Sequence, residues 1–198
     1  MSYLLKHRLP VLLILIIAFM VISCEKGHAP RPRGYVRIAL PEKKYRMFDT
    51  IYPFVFEHPL YSKIKPTRWD SDKPGWIDIY FPEFNAKIHI TYMKALEEGD
   101  IYQFLEDSRT FVNKHIPKST GFKEMAYADS NDDVYGVIFE ILGRNAASPL
   151  QFYLTDSTTH FLRGALYFDV VPNNDSLAPV ISFIHKDIIH LIETLQWK

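Results

Sequence analysis

Ser108 and His115 stand seven residues apart in a stretch whose apolar residues recur at helical spacing. Asp156-Ser157-Thr158-Thr159-His160 gathers an acid, three hydroxyls and an imidazole in five positions. Both groupings have the residue types of acyl transfer, in which a base takes the proton of an attacking hydroxyl. A working triad, however, is assembled from separated segments on a rigid scaffold. The pentapeptide lies between two strand-like segments and reads as a turn, its Asp and Ser oxygens bonding their own backbone. Ser108 and His115 fall on the buried side of a helix and read as seam residues. Asp129, Asp132 and Asp133 form an acidic loop without the ligand ladder and terminal Glu of a calcium loop. His185 and His190 are five apart, on different helix faces, which is not a zinc pair. There is no Gly-rich phosphate loop. The expectation is no catalytic residue, no metal and no cofactor.

The sharpest chemistry belongs to Cys24, the single cysteine of the chain. One cysteine makes no internal disulfide and no four-cysteine zinc site. Lys6, His7 and Arg8 precede an uncharged apolar run from Val11 to Ile22. That is the layout of a secretory signal; the run is about 12 residues, where a spanning helix needs about 20. Val21-Ile22-Ser23-Cys24 places a small residue before the cysteine at the end of the run, and looks like the lipobox of bacterial lipoproteins. Cleavage between Ser23 and Cys24 would leave an acylated cysteine as the new N-terminus. Acyl chains contribute about 0.8 kcal/mol per buried CH₂, and two or more anchor stably. The expected partner is therefore a lipid bilayer, held without a transmembrane span.

The 198 residues carry 23 basic and 23 acidic side chains, a formal charge of zero. That balance argues against a nucleic-acid partner, which calls for a strongly basic face. At 47% apolar the chain is too hydrophobic for a disordered protein. Three segments are expected: a signal peptide over 1–23, a lipidated N-terminus and basic, Pro-containing tether over 24–46, and one globular domain over 47–198. The tether holds Lys26, Arg31, Arg33, Arg37, Lys43, Lys44 and Arg46 against Glu25 and Glu42. Beside a lipid anchor, each such charge contributes about 1 kcal/mol of attraction to anionic head groups.

Within the domain, period-two alternation marks strands at 51–57, 60–65, 76–81 and 86–93, bounded by prolines. A helix follows, with Asp100 as its expected N-cap and Ile101, Phe104, Leu105, Ser108, Val112 and His115 on one face. Strands return at 122–128, 134–142, 150–155 and 160–170. Two of them, 134–142 and 161–168, are apolar on both faces, as a strand covered on both sides would be. A closing helix buries Ile181, Ile184, Ile188, Leu191 and Leu195, and is expected to turn Lys186, Asp187, His190 and Glu193 outward. The fold class is α+β, a largely antiparallel sheet of about six to eight strands with two amphipathic helices packed on it.

Several strings are highly particular: Pro30-Arg31-Pro32-Arg33-Gly34-Tyr35, Leu105-Glu106-Asp107-Ser108-Arg109, Asn145-Ala146-Ala147-Ser148-Pro149, His160-Phe161-Leu162-Arg163-Gly164-Ala165-Leu166-Tyr167-Phe168 and Asp187-Ile188-Ile189-His190-Leu191-Ile192-Glu193. Together with the cysteine at 24 they resemble the gliding-motility lipoprotein family GldD over the whole mature chain. The resemblance implies an envelope lipoprotein required for gliding, linked to type IX secretion, facing the periplasm on either membrane. It implies no active-site residues. The expected partners are other envelope proteins of the gliding machinery, with Arg163, Asn145 and Ser148 as candidate contacts. A different class stays open: a small-ligand or glycan binder using Trp69, Trp76 and nearby tyrosines as a stacking platform.

Overall fold

In the computed structural model of the chain, residues 38–67 and 75–198 are described. Ser23, Cys24, most of the tether and Trp69 lie outside them. The described residues run β1 (Tyr45–Phe48), β2 (Phe54–Pro59), β3 (Lys63–Pro66), β4 (Ile77–Phe81), β5 (Ala86–Lys94), α1 (Asp100–Asn113), β6 (Gly121–Asp129), β7 (Val134–Leu142), β8 (Leu150–Thr155), β9 (His160–Phe168), α2 (Asn174–Glu193) and β10 (Gln196–Trp197).

Alternation along each strand decides which face is buried. In β4, Ile77, Ile79 and Phe81 point to one side and are at most 1% exposed, while Asp78 and Tyr80 take the other. β5 repeats the pattern with Ile88 and Ile90. Seven strands pair in the order β3-β4-β5-β9-β8-β7-β6, and β1-β2-β10 form a second sheet. Neighbours are antiparallel throughout. The main core lies between one face of the large sheet, the α2 stripe (Val180, Ile184, Ile188, Leu191) and Phe54 and Phe56 of β2. Each such side chain contributes about 1.5–3 kcal/mol on burial. On the opposite face α1 covers only part of the sheet: Val112 packs with Phe139, Ile141 and Ala146, and the Phe104 ring lies 5.6 Å from Phe161.

The α+β antiparallel architecture is as expected from the sequence, but its strands divide between two sheets. β9 is the central strand of the seven; β7, also expected at the centre, is second from the edge, and β6 is the edge beside it. Regular pairing begins at Tyr45, so the fold starts before residue 47, and the segment just before it is not a strand. Gly99, at φ 97°, is the N-cap of α1 in place of Asp100. The Asp100 carboxylate instead turns back to accept the N–H groups of Leu96 and Glu97. The Asp156 turn is as read: its Oδ1 accepts the N–H groups of Thr158, Thr159 and His160.

Two glycines of the sheet are required by close approach. A Cβ on Gly164 would occupy the space of the Phe152 ring, its cross-strand partner, and one on Gly136 would meet the Tyr153 carbonyl oxygen. Gly164→Ala is expected to lower stability by about 1–3 kcal/mol through overpacking. Gly136→Ala should do at least as much harm, because a backbone carbonyl yields less than a ring. Urea unfolding checks both, and an unchanged midpoint would contradict the packing.

At the junction of β1 and β2, His58 is 3% exposed. Its Nε2 accepts from Arg46 Nε at 3.1 Å, so Nδ1–H donates to Ser62 Oγ at 2.8 Å, which donates to the Pro59 carbonyl. Burial, then the Arg46 charge, lower its pKa to about 4. The folded state therefore refuses a proton that the unfolded chain takes near pH 6.5. Stability from this site is complete above about pH 6.5, falls as pH drops toward 4, and levels off below; the full span is at most about 3 kcal/mol. The difference in unfolding free energy between wild type and His58→Leu should shrink over that window. A pH-independent difference would refute the assignment.

Candidate functional site

The tether enters the fold through a buried carboxylate. Asp187 sits on α2 with its side chain 1% exposed. Lys43 Nζ donates to its Oδ1 at 2.5 Å, Tyr45 OH to the same oxygen at 2.9 Å, and Tyr61 OH to Oδ2 at 2.6 Å. The lysine also donates to the Phe183 carbonyl at 3.0 Å and lies 3.7 Å from the centre of the Phe183 ring. One helical turn on, His190 stacks on Tyr45 at 3.6 Å and its Nε2 meets Glu57 Oε2 at 2.6 Å. Burial, then the bond to Asp187, hold both phenols above their ordinary pKa.

Helical spacing explains why Asp187 and His190 turn inward, contrary to the sequence expectation. Asp187 follows Ile184 by three residues and precedes Leu191 by four, so it belongs to the buried face. It is tolerated there because three side-chain donors arrive from residues 43–61. Lys186 and Glu193 do face solvent. Lys43, expected as a tether charge toward anionic head groups, is instead paired with Asp187, and nothing local to Lys43, Tyr45 or Tyr61 points to a partner more than a hundred positions away.

The sequence-derived contact candidates are set at the sheet face beneath α1 and at one end of it. Arg163 is half-buried on β9; its Nη2 donates to Gln151 Oε1 at 2.8 Å, and its guanidinium carbon lies 4.3 Å from the centre of the Phe111 ring. Ser148 is fully buried, its hydroxyl donating to the Leu150 carbonyl. Asn145 is exposed, near Pro117, Lys118, Ser119, Val171 and Pro172. The loop they share is pinned from inside: Asn174 Nδ2 donates to the carbonyls of Gly143 and Ala146, and its N–H to the carbonyl of Arg144. The three residues do not form one exposed patch.

Of the stacking-platform residues, Trp69 lies outside the described residues. Trp76 donates its indole N–H to the Tyr92 carbonyl and meets His89 edge-on at 6.1 Å. At the opposite end of the sheet from Asn145, a cleft of about 650 Å³ is lined by Asn131, Asp132, Asp133, His160 and Trp197 among others. The Trp197 and His160 rings stack at 5.2 Å, and Tyr92 OH holds the imidazole Nδ1 at 2.8 Å. Among the described residues no group of His, Cys, Asp and Glu side chains is arranged to hold a metal. None of the described helices is long and apolar enough to cross a membrane.

No curated protein matches the chain. Among solved structures it is similar to the solution structure of cyanobacterial PsbP (CyanoP) from Synechocystis sp. PCC 6803. Identity is 12% and the TM-score 0.45, over 82% of this chain and 98% of that one. A family model described as gliding motility lipoprotein GldD matches residues 25–197, from the residue after Cys24 to the end of β10. By that match the chain belongs to the gliding motility lipoprotein GldD family.

Proposed function

We propose that this chain is a non-catalytic interaction module, moored by acylated Cys24 and serving the assembly of the gliding and type IX secretion machinery from the periplasmic side. The observation that carries the reading is the Asp187 junction. It joins the segment leading from the lipid anchor to the last helix of the fold through an ion pair and two phenolic hydrogen bonds. A lipid anchor confines the domain to a surface and raises its effective concentration toward partners on that surface. Membership of a lipoprotein family implies the envelope association itself.

A second reading, binding of a small ligand or glycan, is favoured by the cleft beside Trp197 and His160, whose volume falls within the range of ligand sites. Loss of gliding in a Trp197→Ala strain with normal protein level would favour it over the first reading.

Two outcomes test the leading proposal. Cys24→Ala should move the chain out of the membrane fraction and abolish gliding; a soluble form that supports gliding fully would contradict it. Asp187→Asn keeps the shape of the junction but removes its charge, and should destabilise the fold by about 3–5 kcal/mol by stranding the lysine. Urea unfolding gives the number, and replacing Lys43 and Asp187 together by Met and Leu should recover part of the loss.

A further inference from the structure

Arg163 is a guanidinium without an acid. It donates to Gln151 Oε1 and lies against Phe111, and among the described residues no carboxylate pairs with it. Because Gln151 Oε1 is taken by the arginine, the orientation of the amide is fixed and its Nε2 faces away as a donor. That nitrogen is buried and unpartnered in a residue 1% exposed. Ser108 Oγ, in a residue 3% exposed, is also buried and unpartnered.

The register places these groups under one stretch of α1. Phe104 rests on Phe161, two residues before Arg163 on the same face of β9, and Phe111 rests on Arg163 itself. Val112 packs on Phe139, which stands directly opposite Gln151 across β7 and β8. Ser108, one turn before Val112 and one turn after Phe104, faces the same strip of sheet. His115 completes the helix face; burial, then the Arg163 charge, lower its pKa, so it adds no cation near neutral pH. The sheet strip and the helix face over it thus carry a guanidinium, an amide N–H₂ and a hydroxyl, with no carboxylate paired to any of them among the described residues.

Donor sets of this kind accept an oxyanion, and a planar guanidinium matches a carboxylate in two-point geometry. We infer that the α1-covered strip of the sheet, built on Arg163, Gln151 and Ser108, is a carboxylate-binding site. The carboxylate has two sources: a free small acid, or an Asp or Glu side chain of an envelope partner reaching Arg163 past Phe111, which is 41% exposed. The second source rests on the interaction-module proposal; the first does not.

The test uses the full chain in detergent micelles with acetate as the probe, against chloride and neutral acetamide at matched ionic strength. Acetate should raise the melting temperature where chloride and acetamide do not. Gln151→Glu supplies an internal carboxylate to the same guanidinium. It should raise stability in buffer without acetate and weaken the acetate response about tenfold, through the charge-assisted pair it forms. Gliding then separates the sources. A stable Gln151→Glu chain that no longer supports gliding places the carboxylate on a partner, and one that glides normally places it on a free acid. If acetate acts no differently from chloride and acetamide, and Gln151→Glu is destabilised, the donors serve only an internal water and the inference is overturned. That result leaves the mooring through Cys24 untouched, since membrane fractionation reads it separately.

Discussion

A charged group can remain in a protein interior only if its partners are delivered and kept there. Asp187 imposes that condition on this fold. Its carboxylate lies on the inner face of α2, where it would be costly alone, and its donors come from just before β1 (Lys43), from the start of β1 (Tyr45) and from just after β2 (Tyr61). The helix therefore cannot dock without the N-terminal segment, nor can that segment settle without the helix. β2 lies between them, pairing with β1 on one side and β10 on the other, so the small sheet is closed by the same requirement. Residues 43–61 and the last helix, far apart in sequence, are thereby joined within the domain.

This constraint arranges the rest. The large sheet has one face fully occupied by α2 and the small sheet, and its other face only partly covered by α1. Polar and charged residues accordingly collect on the less covered face: Asp78 with His89, Arg163 with Gln151, and the lysines of β3. One end of the sheet is tied down by Asn174 and the 143–149 loop, the other by the Asp156 turn and the Trp197–His160 stack. Neither end brings the hydroxyl–imidazole groupings of the sequence together. His160 and Asp156 are engaged as structural elements of a turn, and Ser108 Oγ, on the same helix face as His115, makes no hydrogen bond.

What the sequence made legible was whatever repeats locally. Period two in 76–93 and period 3.6 in 100–113 and 174–193 found the strands and helices, and the alternation of β4 named its buried face correctly. The misplaced residues all depend on distant partners. Asp187 reads as a solvent residue by its type, although its spacing from Ile184 and Leu191 sets it on the buried face. β1 was hidden inside a basic, proline-containing stretch that resembles a spacer, and only its pairing with β2 makes it a strand. Ser148 and Asn145 stand out because their string is so specific, and the partner that bonds this loop, Asn174, lies about thirty positions along the chain.

On the proposed function, the residues before Lys43 are mooring and the residues from Lys43 onward are the working body. The most direct measurement is gliding by cells whose chain carries, in place of residues 1–42, the leader, acylated cysteine and spacer of an unrelated lipoprotein. Full gliding at normal membrane levels is predicted. Loss of gliding, with the hybrid present in the membrane and folded, would show that the tether itself carries the recognition and would contradict the account.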